Sequence, residues 1–150
     1  MNNRRKSQRG GSALEMALML PWYLFLFIGT YDWGYYAHAL ISTENAARVA
    51  TLYTSQSAAK AADQADACIL ANEEMRIVPN ISGSGTPTCA ASPLIVTAVQ
   101  VGVGQTTGSA DNNEASQVTV TYTTLSLIPI PFLLEKQATF YRVVQMRLRS

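Results

Sequence analysis

The feature that most constrains the fold is an uncharged apolar run near the N-terminus, "MALMLPWYLFLFIGTY", bounded by Glu15 and Asp32. The run covers about 16 residues, just under the roughly 17 that a spanning helix needs, so its flanks must help it cross a bilayer. Aromatic side chains near Asp32 suit the headgroup level. The sequence predicts a membrane helix over about residues 13–34, with a kink at Pro21 because proline removes a backbone donor and clashes with the preceding turn.

The charge pattern before this run predicts its orientation. The basic residues of the leader are Arg4, Arg5, Lys6 and Arg9. Under the positive-inside rule such a short basic flank stays in the cytoplasm, and the rest of the chain crosses the membrane. Residues 1–10 are therefore expected to be a basic leader, and the C-terminal domain is expected on the far side.

Composition supports a partly membrane-bound or assembled protein. Hydrophobic residues make up 48% of the 150 and charged residues 14%, against about 25% charged in ordinary globular chains. The formal net charge of +1 favours neither a nucleic-acid partner nor an acidic substrate. The length suits one small domain plus an appendage.

Beyond Asp32 the pattern stays helical through "AHALISTENAARVATLY", where Glu44 and Arg48 are spaced as an i, i+4 ion pair. We expect this N-terminal helix to occupy residues 11–56. A second, shorter helix is predicted to start at a Ser57 cap and to stop before Pro79.

The pattern then changes to a period of two in "LIVTAVQVGV", "SQVTVTYTTL" and "QATFYRVVQMRL", which predicts three antiparallel strands. The apolar face of the first strand is expected to be Ile95, Val99, Val101 and Val103. On the second strand it is expected to be Val118, Val120 and Tyr122. On the third strand, the residues expected on one face are Ala138, Phe140, Val144, Met146 and Leu148, in alternation with Tyr141, Val143 and Arg147. The "SLIPIPFLL" connection is either a lid over the core or a surface that docks on a membrane or partner. The predicted fold class is α+β: a long N-terminal helix, then an α+β domain over residues 57–150.

Two cysteines, Cys68 and Cys89, fall on the predicted far side of the membrane. In an oxidising compartment they would form one disulfide, which contributes about 3 kcal/mol in the chain-entropy model. Two buried free thiols are the alternative. Together with the single histidine, His38, they do not make a zinc site, which needs four ligands at paired spacings.

No residue pattern indicates an enzyme. His38 has no nucleophile pattern around it, and "GVGQTTG" lacks the lysine of a phosphate-binding loop. The C-terminal arginines Arg142, Arg147 and Arg149 are more typical of a solubilised edge strand than of a nucleic-acid interface. We therefore predict no catalytic residue, metal, cofactor, nucleic acid or small-molecule substrate.

The stretch "RGGSALEMALMLP" resembles the processing region of the TadE-like family, the minor pseudopilins of tight-adherence (Tad) pili. Gly10 matches the glycine before the scissile bond and Gly11 the first mature residue, which makes Glu15 the fifth. Pro21 with the preceding leucine matches the family's leucine-proline pair. "STENAARVATLY" and "VTVTYTTLSLIPIPFLL" are similar to later parts of the family pattern. Met16 departs from the phenylalanine that is frequent there, and a cut after Gly11 is an alternative.

The resemblance implies a subunit that a prepilin peptidase cuts at the cytoplasmic face of the bacterial inner membrane. Its Glu15 would pair with the new N-terminal ammonium of a neighbouring subunit when helices stack in the filament. The subunit would act in pilus assembly or initiation and in surface adherence. The implied partners are other pilin or pseudopilin subunits, the inner-membrane assembly platform and membrane lipid, with the folded domain in the periplasm.

Three alternatives remain open. Glu15 can be hydrated at the membrane interface. The chain can be a signal-anchored periplasmic binding module that never enters a filament. It can also be a secreted protein cut at "AHA", residues 37–39.

Overall fold

A computed structural model describes residues 8–81, 87, 89–102, 104–105, 108, 113–125 and 137–149, with side chains from residue 11 onward. The chain divides into two compact units, Met1–Tyr35 (unit 1) and Tyr36–Ser150 (unit 2). The predicted leader residues Arg4, Arg5 and Lys6, the "SLIPIPFLL" connection and Val103 lie outside the described residues.

Helix α1, Gln8–Thr54, continues through Pro21 without a break and contributes to both units. Within unit 2 it buries a face of small side chains, which lets the helix backbone approach its neighbours closely. The buried residues of this face are Ala39, Thr43, Ala46, Ala47, Ala50, Thr51 and Thr54. The hydroxyls of Thr43 and Thr51 donate to carbonyls four residues earlier, at 2.7 and 2.6 Å, so these polar groups are satisfied inside the core. The exposed side carries the predicted Glu44–Arg48 ion pair at 2.5 Å.

Helix α2, Gln64–Glu74, is shorter than the sequence predicts. The expected start at Ser57 is wrong, because Asp63 is the N-cap: its carboxylate accepts from the backbone N–H groups of Ala65 and Asp66 at 3.1 and 3.2 Å. Ser57 and Asp63 are equally good capping types, and the alanine-rich residues between them carry no apolar stripe to choose between the two.

The sheet is antiparallel and has four strands, in the order β1-β2-β3-β4. The strands are β1, Ala90–Ala91; β2, Leu94–Val101; β3, Ala115–Thr123; and β4, Thr139–Arg147. The three predicted strands are confirmed, and the prediction of only three is wrong. The fourth, β1, consists of two residues that pair with Leu94 and Ile95. A strand this short is too brief to show a period of two in the sequence.

The predicted inward faces of β3 and β4 are confirmed, and that of β2 is largely wrong. Val118, Val120 and Tyr122 are buried, and Phe140 and Val144 pack against the core. On β2 the buried side chains are Leu94, Val96 and Ala98, whereas Ile95 and Val99 are exposed and Val101 is buried. Both faces of β2 carry apolar residues, so alternation alone does not determine which face is buried.

Unit 2 has one core, formed by the small face of α1, the buried side of α2 and the inner face of the sheet. The sulfur atoms of Cys68 and Cys89 are 2.02 Å apart, which joins α2 to the residue before β1. A second cross-connection fixes the segment after α2. The hydroxyl of buried Tyr122 donates to Asn80 Oδ1, and Asn80 Nδ2 donates to the Thr123 carbonyl at 2.9 Å.

The third cross-connection is polar and buried. Ser116 Oγ donates to the Ala61 carbonyl at 2.9 Å and lies 2.7 Å from Thr54 Oγ1. It therefore joins β3 to the end of α1 and to the turn that precedes α2. Because each hydroxyl has a partner, this contact specifies how the elements meet without leaving a buried polar group unsatisfied.

Candidate membrane and assembly helix

The first part of α1 presents apolar side chains on every side. All residues from 11 to 27 are exposed. The large apolar ones are Leu14, Met16, Leu18, Met19, Leu20, Trp22, Tyr23, Leu24, Phe25, Leu26 and Phe27. Leaving one such side chain in water rather than burying it costs about 1.5–3 kcal/mol. By length and composition the helix can cross a membrane, and none of its most apolar 18-residue window is buried. This surface needs lipid or other helices to cover it.

Glu15 is the only acidic or basic residue between residues 11 and 31. Its side chain is exposed on the apolar part of α1 and makes no hydrogen bond or ion pair with the described residues. The positions three and four residues away on the helix surface, where a pairing cation would have to sit, are Gly11, Ser12, Leu18 and Met19. A charge that compensates Glu15 must therefore come from outside this part of the helix.

The predicted processing residues lie at the start of the same helix. Gly10 and Gly11 are in its first turn and a half, and Arg9 is within the helical backbone. A β-carbon added at Gly11 would meet no atom within 4 Å, so the glycine is not required by packing. Pro21 is inside the helix and lacks the N–H that would bond to the Ala17 carbonyl.

Asp32 is a buried carboxylate that the sequence analysis did not single out. It marks the end of the uncharged run, yet it is only 1% exposed, and its Oδ2 atom has no hydrogen-bond partner among the described residues. An aspartate at the end of an apolar run is ordinarily hydrated, so no sequence signal indicated this burial. His38 is exposed.

The described residues contain no group of three or more His, Cys, Asp or Glu placed to hold a metal ion. The chemistry of the segment is therefore that of an apolar surface with one carboxylate.

A comparison with protein families matches one segment of the chain, which lies within this helix. Residues 10–52 match the model of the TadE-like protein family. The resemblance predicted from the sequence is confirmed over that segment. The chain has no significant match among curated proteins or among solved structures.

The TadE-like segment holds the processing glycines, Glu15, Pro21 and nearly all of the α1 face that unit 2 buries. The matched segment and the exposed apolar helix fit a Tad pilus pseudopilin-like protein and suggest membrane anchoring. Pilus proteins of this family have a structural role. The sheet, α2 and both cysteines follow the matched residues.

Proposed function

We propose that the chain is a minor pseudopilin of a Tad pilus that the bacterial inner membrane holds until the subunit enters a filament. One observation supports this most directly. The apolar stretch of α1 over residues 11–27 is exposed on all sides and carries a single carboxylate, inside the segment that matches the family. Lipid covers such a surface before assembly, and helices of other subunits cover it in the filament.

The proposed topology follows from the leader charges. The basic residues before the span hold the N-terminus in the cytoplasm, where a prepilin peptidase cuts after Gly10. Unit 2 is then periplasmic, in a compartment where the bond between Cys68 and Cys89 persists. After assembly on the inner-membrane platform, the subunit acts in pilus initiation and surface adherence.

In this proposal Glu15 sets the position of each subunit relative to the next. An ionised carboxylate in hydrocarbon is costly unless a partner charge is buried beside it. The helix surface offers no cation near Glu15, and cleavage after Gly10 creates an ammonium at the start of the mature chain. A neighbour that brings its ammonium to Glu15 removes the penalty, and a neighbour in another register does not.

The first experiment measures the mature N-terminus. Protein extracted from native membranes is analysed by intact mass and N-terminal sequencing, in cells with and without the prepilin peptidase. We expect Gly11 as the first residue only when the peptidase is present. A mature chain that starts at Ser12 would show that the peptidase cuts after Gly11 instead of Gly10. Retention of the arginine-rich leader in the presence of active peptidase would refute the proposal and favour the anchored periplasmic binding module.

The second experiment tests the carboxylate. Glu15→Gln keeps the size of the side chain and removes its charge, so we expect normal membrane insertion and at least a tenfold loss of incorporation into sheared pili. A tenfold loss corresponds to about 1.4 kcal/mol. Glu44→Gln is the matched control, because Glu44 is an acidic residue of α1 that pairs with Arg48 outside the span. Equal incorporation of the two variants would contradict the pairing.

A further inference from the structure

The two edges of the sheet differ in how many of their outward backbone groups are hydrogen-bonded. On the β2 side, β1 pairs with the first two residues, and the Val96 N–H donates to the Cys89 carbonyl at 3.0 Å. The side chain of Gln64 then binds the edge as a neighbouring peptide would. Its Nε2 donates to the Val96 carbonyl, and its Oε1 accepts from the Ala98 N–H at 2.8 Å. This edge is closed as far as the Ala98 N–H.

At the β4 edge, only every second residue of β4 is hydrogen-bonded to β3. The Thr124 N–H donates to the Ala138 carbonyl at 2.9 Å, and the Leu148 N–H donates to the Glu114 carbonyl at 3.1 Å. Because backbone groups alternate in direction along an antiparallel ladder, even-numbered residues of β4 face β3 and odd-numbered residues face outward. The outward-facing residues in the middle of the strand are Tyr141, Val143 and Gln145.

Most of the outward backbone groups in the middle of β4 are available to pair with another strand. The end of the strand is closed, because the Arg149 N–H donates to the Ser55 carbonyl at 2.9 Å. Further back, the Tyr141 carbonyl accepts from the Arg142 guanidinium at 3.2 Å. Within the described chain, the remaining outward backbone groups of residues 141–145 have no hydrogen-bond partner. The side chains of Tyr141 and Val143 are 59% and 42% exposed, so a segment can approach this edge.

The charge around the open edge is positive. Arg142 lies in the open stretch, and Arg147 and Arg149 follow it and line a cavity of about 380 Å³. Among the described residues that line the cavity, Glu114 is the only acidic one. A second copy of β4 on this edge would bring six arginines together, whereas an acidic segment would complement them.

We propose that the open edge, Tyr141–Gln145, binds an extended acidic segment of a partner protein as an added strand. Backbone hydrogen bonds to the outward groups of Val143 and Gln145 would supply the pairing, and an acidic side chain would enter the cavity beside Arg149. Strand addition of this kind takes its affinity from main-chain bonds and its specificity from side-chain sites. The proposal goes beyond the pilus role and does not depend on it.

The test uses the full chain in detergent and two synthetic peptides of alternating valine and threonine, one ending in aspartates and the other in lysines. Fluorescence anisotropy measures Kd. We expect the aspartate peptide to bind at least tenfold more tightly than the lysine peptide. Val143→Pro removes an outward N–H without breaking a bond to β3, since proline is tolerated at such edge positions. It should weaken binding at least tenfold, whereas the matched control Val143→Ala should weaken it less than threefold.

Four results would overturn the proposal: no binding of either peptide, equal affinity for both, equal Kd for the Pro and Ala variants, or self-association without peptide that Val143→Pro abolishes. The last result would assign the edge to a second copy. If Val143→Pro loses hydrogen-exchange protection in β3, the substitution has disturbed the sheet itself. An aspartate peptide with methylated amides on its pairing side then tests strand addition on the unchanged chain. It should not bind the unchanged chain, and binding would refute strand addition.

Discussion

Removing the bond between Cys68 and Cys89 tests how much of the stability of unit 2 comes from a covalent connection. The cysteines are 21 positions apart in sequence and join α2 to the residue before β1. A closed loop of this length restricts the unfolded chain enough to stabilise the folded state by about 3 kcal/mol in the chain-entropy model. The double variant Cys68→Ser/Cys89→Ser should lose that contribution.

Hydrogen exchange of the β3 amides is the suitable assay. β3 is a central strand, bonded to β2 on one side and to β4 on the other, so its slowest amides report opening of the whole unit. A loss of about 3 kcal/mol corresponds to roughly 100-fold faster exchange.

Two comparisons make the result interpretable. The unchanged chain under reducing conditions should exchange like the double serine variant, because both lack the crosslink. An acceleration below about tenfold in both samples would refute the reasoning, since the loop would then restrict the unfolded chain far less than its length implies.

Two further substitutions probe the connections around the sheet. Gly102→Ala should destabilise unit 2 by roughly 1–3 kcal/mol, because Gly102 has a φ of +132° and an added β-carbon would lie 2.7 Å from the Asn113 carbonyl oxygen. Gly104→Ala is the control, with a φ of +83° and open space around the new atom; an equal loss of β3 protection in both would contradict the close approach. Tyr122→Phe removes the hydroxyl that donates to Asn80 and should cost about 1 kcal/mol. Chemical denaturation followed by far-UV circular dichroism would show that loss, and an unchanged midpoint would contradict it.

Sequence reasoning was most successful where one physical signal dominated. The uncharged run after Glu15 predicted a long apolar helix and led to the family that residues 10–52 match. The alternation in β3 and β4 predicted both strands and their buried faces, most clearly in β3, where Val118, Val120 and Tyr122 alternate with threonines. In β2 both sides are apolar, so the choice of buried face depended on tertiary packing.

The parts that sequence reasoning missed depend on contacts between distant residues. Gln64 closes the edge of β2, and Ser116 joins β3 to the end of α1. Both are polar residues whose partners lie more than 30 positions away, so no local pattern distinguishes them from ordinary surface residues.

The sharing of α1 between the two units determines which shortened chain can fold. Removing everything before residue 57 would delete the alanine and threonine face of α1, which belongs to the same buried cluster as Val118 and Val120. A recombinant fragment that begins at Tyr36 keeps that face and omits the exposed apolar part of α1, residues 11–27. We therefore expect a folded fragment to start inside the longest helix, at residue 36, rather than at residue 57, where the sequence pattern placed the boundary of the domain.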